Sequence, residues 1–148
     1  MVQIFDSWAN LLSEEQYLEY SLKYIKKILK KLSEDPVTTK TPTIVFARDP
    51  KCNLNEFKLN DLSCYGMFTS INPNNAISLF EGSHALQGNL DPKILLEEDS
   101  IIKESVSRIL SDFKDYPGYI FNLGHGITPD INPDKVKVLV EAIRDSGS

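Results

Sequence analysis

The groups in this chain that could do chemistry are few, and they recur at one kind of place. His125 stands between Gly124 and Gly126, just after the apolar run Tyr119-Ile120-Phe121 and Asn122. Asp6 and Ser7 follow Val2-Gln3-Ile4-Phe5, and Arg48 and Asp49 follow Thr43-Ile44-Val45-Phe46-Ala47. Thr69 and Ser70 close a run that begins at Tyr65, and Gly88, Asn89 and Asp91 follow Ala85-Leu86-Gln87. A histidine in such a place can hydrogen-bond a ligand or exchange a proton near neutral pH. Glycines at 88, 124 and 126 let backbone approach a ligand closely. The same residues also suit plain structural duties. Glycine after a strand punctuates a turn, and Asp6 and Ser7 can cap one. His84 precedes an apolar run instead of following one, which assigns it to the opposite rim as a structural or exposed residue.

The elements that must position these groups alternate. Val2–Phe5, Thr43–Ala47, Tyr65–Thr69, Ala85–Gln87 and Tyr119–Phe121 read as strands of nearly continuous apolar character. Helices fall between and after them. Ser13 with Gln16 three residues on forms a capping box, flanked by Leu12 and Tyr17 as a hydrophobic staple. Leu18, Leu22, Ile25, Leu29 and Leu32 make the buried stripe, and Lys26, Lys27, Lys30 and Lys31 make a solvated face. Asn72-Pro73 and Asn132-Pro133 each open a helix, Asn as cap and Pro in the first turn. Asp99 or Ser100 caps another, with Ile102, Val106, Ile109, Leu110 and Phe113 inward. The last helix turns Val136, Leu139, Val140 and Ile143 inward. The stretch from Arg48 to Ser63 is a loop with one short helix.

Strand then helix, five times over, implies a parallel sheet. "SINPNNAISL" and "DINPDKVKVL" are the same junction chemistry twice, echoed by Asp91-Pro92 and Asp49-Pro50. Repeated junctions of one kind fit a barrel, or part of one, better than a doubly wound sheet. In either architecture ligands bind at the carboxyl ends of strands, where the polar groups gather.

Composition narrows the class. The chain has 148 residues, 41% apolar and 25% charged, which predicts one globular domain with its own core. A net charge of −5 and three scattered arginines argue against a nucleic-acid partner. Cys52 and Cys64 match no zinc spacing and read as free thiols. The start shows no basic, apolar leader, and no run approaches a membrane span, so the expectation is a cytoplasmic protein. Strand character from the second residue predicts the start of a piece, not of a whole.

"QIFDSWANLLS", "ALQGNLDPKILL" and "YIFNLGHGITPDINPDKVKVLVEAIR" together resemble uroporphyrinogen decarboxylase, in that family's order and at about its spacing. The resemblance covers only the C-terminal part of the family's usual chain. It implies a (β/α)8 TIM barrel, usually a homodimer, in haem and related tetrapyrrole biosynthesis. It implies conversion of the four acetate side chains of uroporphyrinogen III to methyls, without metal or organic cofactor. Carried over by position, Ser7 matches a serine that hydrogen-bonds a substrate carboxylate. His125 matches a histidine near the propionate and acetate groups. The family's arginine-rich motif, its pyrrole-gathering aspartate and its mid-chain tyrosine have no counterpart here. After the second and third strands "RDPKCNLNEF" and "YGMFTSIN" replace the family's glycine-rich loop and Gly-Leu-Asp-Trp. The chain taken alone is therefore expected to be inactive and to need its missing N-terminal half or a second copy. Two other readings are a non-catalytic truncated module and the superfamily's cobalamin-related methyltransferases. The second wants a His-x-Cys zinc motif, which His84-Ala85-Leu86 does not supply.

Overall fold

The computed structural model describes residues 1–146. Five parallel strands form one sheet: β1 (Val2–Asp6), β2 (Thr43–Ala47), β3 (Cys64–Gly66), β4 (Ala85–Gln87) and β5 (Tyr119–Ile120). Their order is β1-β2-β3-β4-β5, every pair parallel. A doubly wound sheet reverses direction at a switch point, and this one never does. Sequential order throughout is the winding of a (β/α)8 barrel, of which five strands trace an arc.

Local chemistry explains most elements. The Ser13 hydroxyl accepts a hydrogen bond from the Gln16 amide, and the Gln16 side chain accepts one from the Ser13 amide. That box opens α1 (Glu14–Tyr17), which runs through a π-helical stretch, Leu18–Leu22, into α2 (Lys23–Glu34). Tyr17, Leu22, Ile25 and Leu29 are buried along one stripe, and the lysines face outward as expected. Asn72 caps α3 (Pro73–Phe80), and Asn132 stands just before α5 (Pro133–Ser146). Their side chains accept from the amide two residues on at 2.9 Å in both cases, and Asp91 does the same at 2.9 Å for Lys93. The repeated junction is thus one geometry used three times. Asp49-Pro50 does not share it, because Asp49 takes a left-handed backbone conformation at φ 44°.

Three expectations need correction. The third strand spans Cys64–Gly66 and stops short of Thr69. Its partner β4 is only three residues long, so Phe68 and Thr69 have no strand to pair with. The carbonyls of Phe68 and Ile71 accept from the Asn89 side chain instead. Next, α4 (Asp99–Asp112) is preceded by Glu98, with no side-chain cap. Neither Asp99 nor Ser100 caps it, because Asp99 is drawn to Lys135 at 2.8 Å. Finally, α5 buries Leu139 and Ala142, while Val140 is 38% exposed.

Register sorts the sheet into two faces, since paired residues in parallel strands point the same way and alternate along each strand. Ile4, Val45, Tyr65, Leu86 and Tyr119 share the outer face. That face, with α1 to α3 over it, builds one core around Tyr17, Phe57, Tyr65 and Phe80. A second core joins α4 and α5 through Ile102, Val106, Ile109, Leu139 and Ala142. The inner face carries Gln3 and Phe5, Ile44 and Phe46, Cys64 and Gly66, Ala85 and Gln87, and Ile120. Its upper part is open, with Phe5 65% and Ile120 42% exposed. Among the described residues no helix is long and apolar enough to cross a membrane.

Candidate functional site

The inner face and the strand ends above it enclose a cleft of roughly 590 Å³. Its apolar wall is Phe5 and Phe46, paired across β1 and β2 with ring centres 6.2 Å apart. Its polar groups are Gln3 and Ser7 from the first strand and its exit, Arg48 from the second, and Asn122, His125 and Thr128 from the segment after β5. Leu123, Gly126 and Ile127 complete it. Ser7 and His125, singled out from sequence, therefore line the same cavity although 118 positions separate them in the chain.

Each arrives there for a local reason. The last ladder bond between the first two strands runs from the Arg48 amide to the Asp6 carbonyl at 3.0 Å. It fixes Arg48 and Ser7 as neighbours at the rim. Asp6 itself turns to the outer side, where its carboxylate accepts from the Ser21 hydroxyl. On the opposite side, the β4–β5 ladder continues past the named strands. Leu90 bridges Leu123, the Leu90 amide donates to the Asn122 carbonyl at 3.2 Å, and the Gly124 amide donates to the Leu90 carbonyl at 2.8 Å.

Gly124 is where a side chain is forbidden. A Cβ there would lie 2.5 Å from the Thr69 nitrogen and 2.6 Å from its Cα. The turn is wedged against Thr69, and this wedge aims the next residue, His125, into the cleft. Gly126 is different: a Cβ there meets nothing within 4 Å. His125 is half-buried, and its Nδ1 lies 2.9 Å from the Gly126 carbonyl. A carbonyl only accepts, so Nδ1 carries the hydrogen and Nε2 is left for a ligand. Below this turn the Tyr119 hydroxyl donates to the Gly88 carbonyl, tying β5 to the end of β4. Burial raises the Tyr119 phenol well above its ordinary range, so it remains a donor.

Not every polar group expected at the rim reaches the cleft. Asn89 is buried and spends its amide on the Phe68 and Ile71 carbonyls. Asp49 pairs with Lys51 at 3.2 Å, and Asp91 caps its turn. Thr69 forms the wall behind Gly124, and Ser70 lines a separate hollow beside Cys52 and Tyr65. Gln3 and Thr128 were not anticipated. Gln3 alternates with Phe5 on β1, a signal legible once the inner face is known; Thr128 lies in a loop with no periodicity. His84 is structural, as expected: buried, with Nδ1 at 2.8 Å from the Ser83 hydroxyl and Nε2 at 2.8 Å from the Leu59 carbonyl. The thiols of Cys52 and Cys64 are free, and burial pushes each up to about 11. No group of three or more His, Cys, Asp or Glu that could hold a metal ion occurs among the described residues.

This geometry has known counterparts. The family model described as uroporphyrinogen decarboxylase matches residues 1–146. The chain belongs to the uroporphyrinogen decarboxylase family. A uroporphyrinogen decarboxylase of Alcanivorax borkumensis is 42% identical over 142 residues, covering 96% of this chain and 40% of that one. One of Pelodictyon phaeoclathratiforme is 40% identical over 152 residues, covering 99% of this chain and 42% of that one. The chain thus spans about two fifths of the length of the curated relatives it matches. Among solved structures, a methyltransferase from Methanosarcina mazei superposes with a TM-score of 0.72 at 16% identity. It covers 99% of this chain and 42% of the methyltransferase, and at that identity the likeness establishes the partial-barrel fold alone.

Proposed function

We propose that this chain is the C-terminal portion of a barrel that decarboxylates uroporphyrinogen III. The four acetate side chains become methyls, giving coproporphyrinogen III for haem and related tetrapyrrole biosynthesis. One observation carries the reading: in a chain of this family, Ser7 and His125 lie 118 positions apart in sequence and line a single cleft. The cleft suits such a substrate. Phe5 and Phe46 offer an apolar wall to the pyrrole rings of the macrocycle, and hydroxyl, amide, imidazole and guanidinium groups ring it for the carboxylates. Ser7 donates to one carboxylate, and His125 faces the propionate and acetate edge. An acetate on an electron-rich pyrrole loses CO2 once the ring is protonated. The protein's task is then to bind a polyanion and place charge correctly, with no metal or organic cofactor.

The open side supports the fragment reading. Among the described residues β1 pairs only with β2, and its outer flank presents Trp8 at 72%, Tyr20 at 68% and Tyr24 at 52% exposure. An unpaired parallel edge beside exposed aromatics is a surface that a preceding strand and helix would cover. The completed barrel would work as a homodimer in the cytoplasm.

The test is turnover. The 148-residue chain alone yields no coproporphyrinogen by chromatography of the oxidised products. Supplying the upstream half of a family member, fused or in trans, yields it, and Ser7→Ala and His125→Ala lower it. Brisk turnover by the chain alone would sink the fragment reading. A completed barrel that binds the substrate but leaves all four acetates intact would sink the decarboxylase reading.

A further inference from the structure

Resting on that reading, we propose that Arg48 is the charged clamp of the cleft and holds a carboxylate of the substrate opposite His125.

The cleft's charge balance points to it. The chain as a whole is acidic, with 21 Asp and Glu against 16 Lys and Arg. Yet among the described residues none that lines this cavity is acidic, and Arg48 and His125 are its only titratable side chains. The carboxylates beside Arg48 in the ladder and in the chain are engaged elsewhere, and Asp130, next to the lining, is held by the Thr128 hydroxyl. Asp6, whose carbonyl receives the Arg48 amide, gives its carboxylate to Ser21 on the outer side. Asp49, the next residue, takes a left-handed conformation and pairs with Lys51 at 3.2 Å. Arg48 itself is exposed and enters none of the chain's ion pairs among the described residues.

A guanidinium is the side chain best built for a carboxylate, because its planar fork donates two parallel hydrogen bonds. Its base is also rigidly placed. The Arg48 amide closes the β1–β2 ladder at 3.0 Å, and Ala47 before it is fully buried. The clamp therefore stands one residue past β2, tied to the ladder by its amide, and shares the cavity with Ser7 and the Asn122–Thr128 segment. Ser7 and Arg48 would share one side of the bound macrocycle, with His125 and Asn122 on the other.

The experiment is titration of the unaltered chain with uroporphyrin, the stable oxidised octacarboxylate, followed by porphyrin fluorescence at several salt concentrations. Three variants accompany it: Arg48→Gln, Arg48→Lys, and Lys103→Gln, which makes the same charge change on an exposed face of α4. Arg48→Gln is expected to weaken binding roughly ten- to a hundredfold. It should also flatten the salt dependence, since a lost cleft cation lowers the electrostatic share. Arg48→Lys should recover the salt dependence but only part of the affinity, and Lys103→Gln should change neither. If the unaltered chain binds and Arg48→Gln matches it in affinity and salt dependence, the clamp is overturned while the tetrapyrrole reading stands. If Lys103→Gln weakens binding as much as Arg48→Gln, net charge accounts for the effect and the clamp is again overturned. If the unaltered chain binds no uroporphyrin, the clamp falls, and the decarboxylase reading is decided by turnover of the completed barrel.

Discussion

The two faces of the sheet are built to different degrees of completion. The outer face is sealed: Val45, Tyr65 and Leu86 lie at 0% exposure beneath α1 to α3 and the Leu54–Phe57 turn. The inner face is sealed only in its lower half, where Ile44 and Cys64 are 1% and 3% exposed. Above them Phe5 and Phe46 face the cleft, and Ile120 is 42% exposed. In a full barrel the inner positions pack in layers against strands from across the ring, and those strands are beyond this arc. The packed core of this chain therefore lies outside the sheet, and the cleft lies inside it.

Truncation should expose that contrast most strongly. Phe57 is fully buried, with its ring 4.7 Å from Tyr65, so Phe57→Ala should cost about 3–5 kcal/mol in a denaturant titration. Phe5→Ala, on the open inner face, should cost well under half of that in the same chain. Equal losses would mean that the inner face is packed in solution as tightly as the outer.

The rim offers a smaller and sharper test. Gly124→Ala forces a Cβ against Thr69 backbone, and overpacking of this kind costs about 1–3 kcal/mol. Gly126→Ala has open space and should stay within about 0.5 kcal/mol. If the two alanines behave alike, the wedge that orients His125 is not rigid.

The mildest effect is a rate. Both thiols are pushed up to about 11 by burial, so neither is appreciably thiolate at pH 8. Alkylation should be slow there and accelerate toward pH 11. Cys52, partly exposed, should react before Cys64, although Cys64 belongs to the face with the open cleft. The sign for stability follows. An acid whose folded value is raised leaves the native state unharmed below the unfolded value near 9 and weakens it as pH climbs from there toward 11. Faster labelling of Cys64 would show that the lower inner face opens readily.

Much of this was readable because it is local. The Ser13–Gln16 box, the Asn72 and Asn132 caps and the stripe from Leu22 to Leu29 need only neighbours within a turn or so of chain. The five strands were readable as well, because buried parallel strands are continuous apolar runs. Two of the misreadings are long-range. Asp99 fails as a cap because Lys135, 36 positions away, claims it. Thr69 is not strand because β4 is too short to pair with it.

What the sequence determined by itself was which residues stand at strand ends, and hence that Ser7, Arg48 and His125 share one rim: alternation of strand and helix dictates it. What only the tertiary structure decided was which of the rim groups remain free. Asp6, Asp49, Asn89 and Asp91 are taken up by Ser21, Lys51, the Phe68 and Ile71 carbonyls and the Lys93 amide. A side chain's partner depends on distances across the fold, and no spacing along a chain encodes them directly.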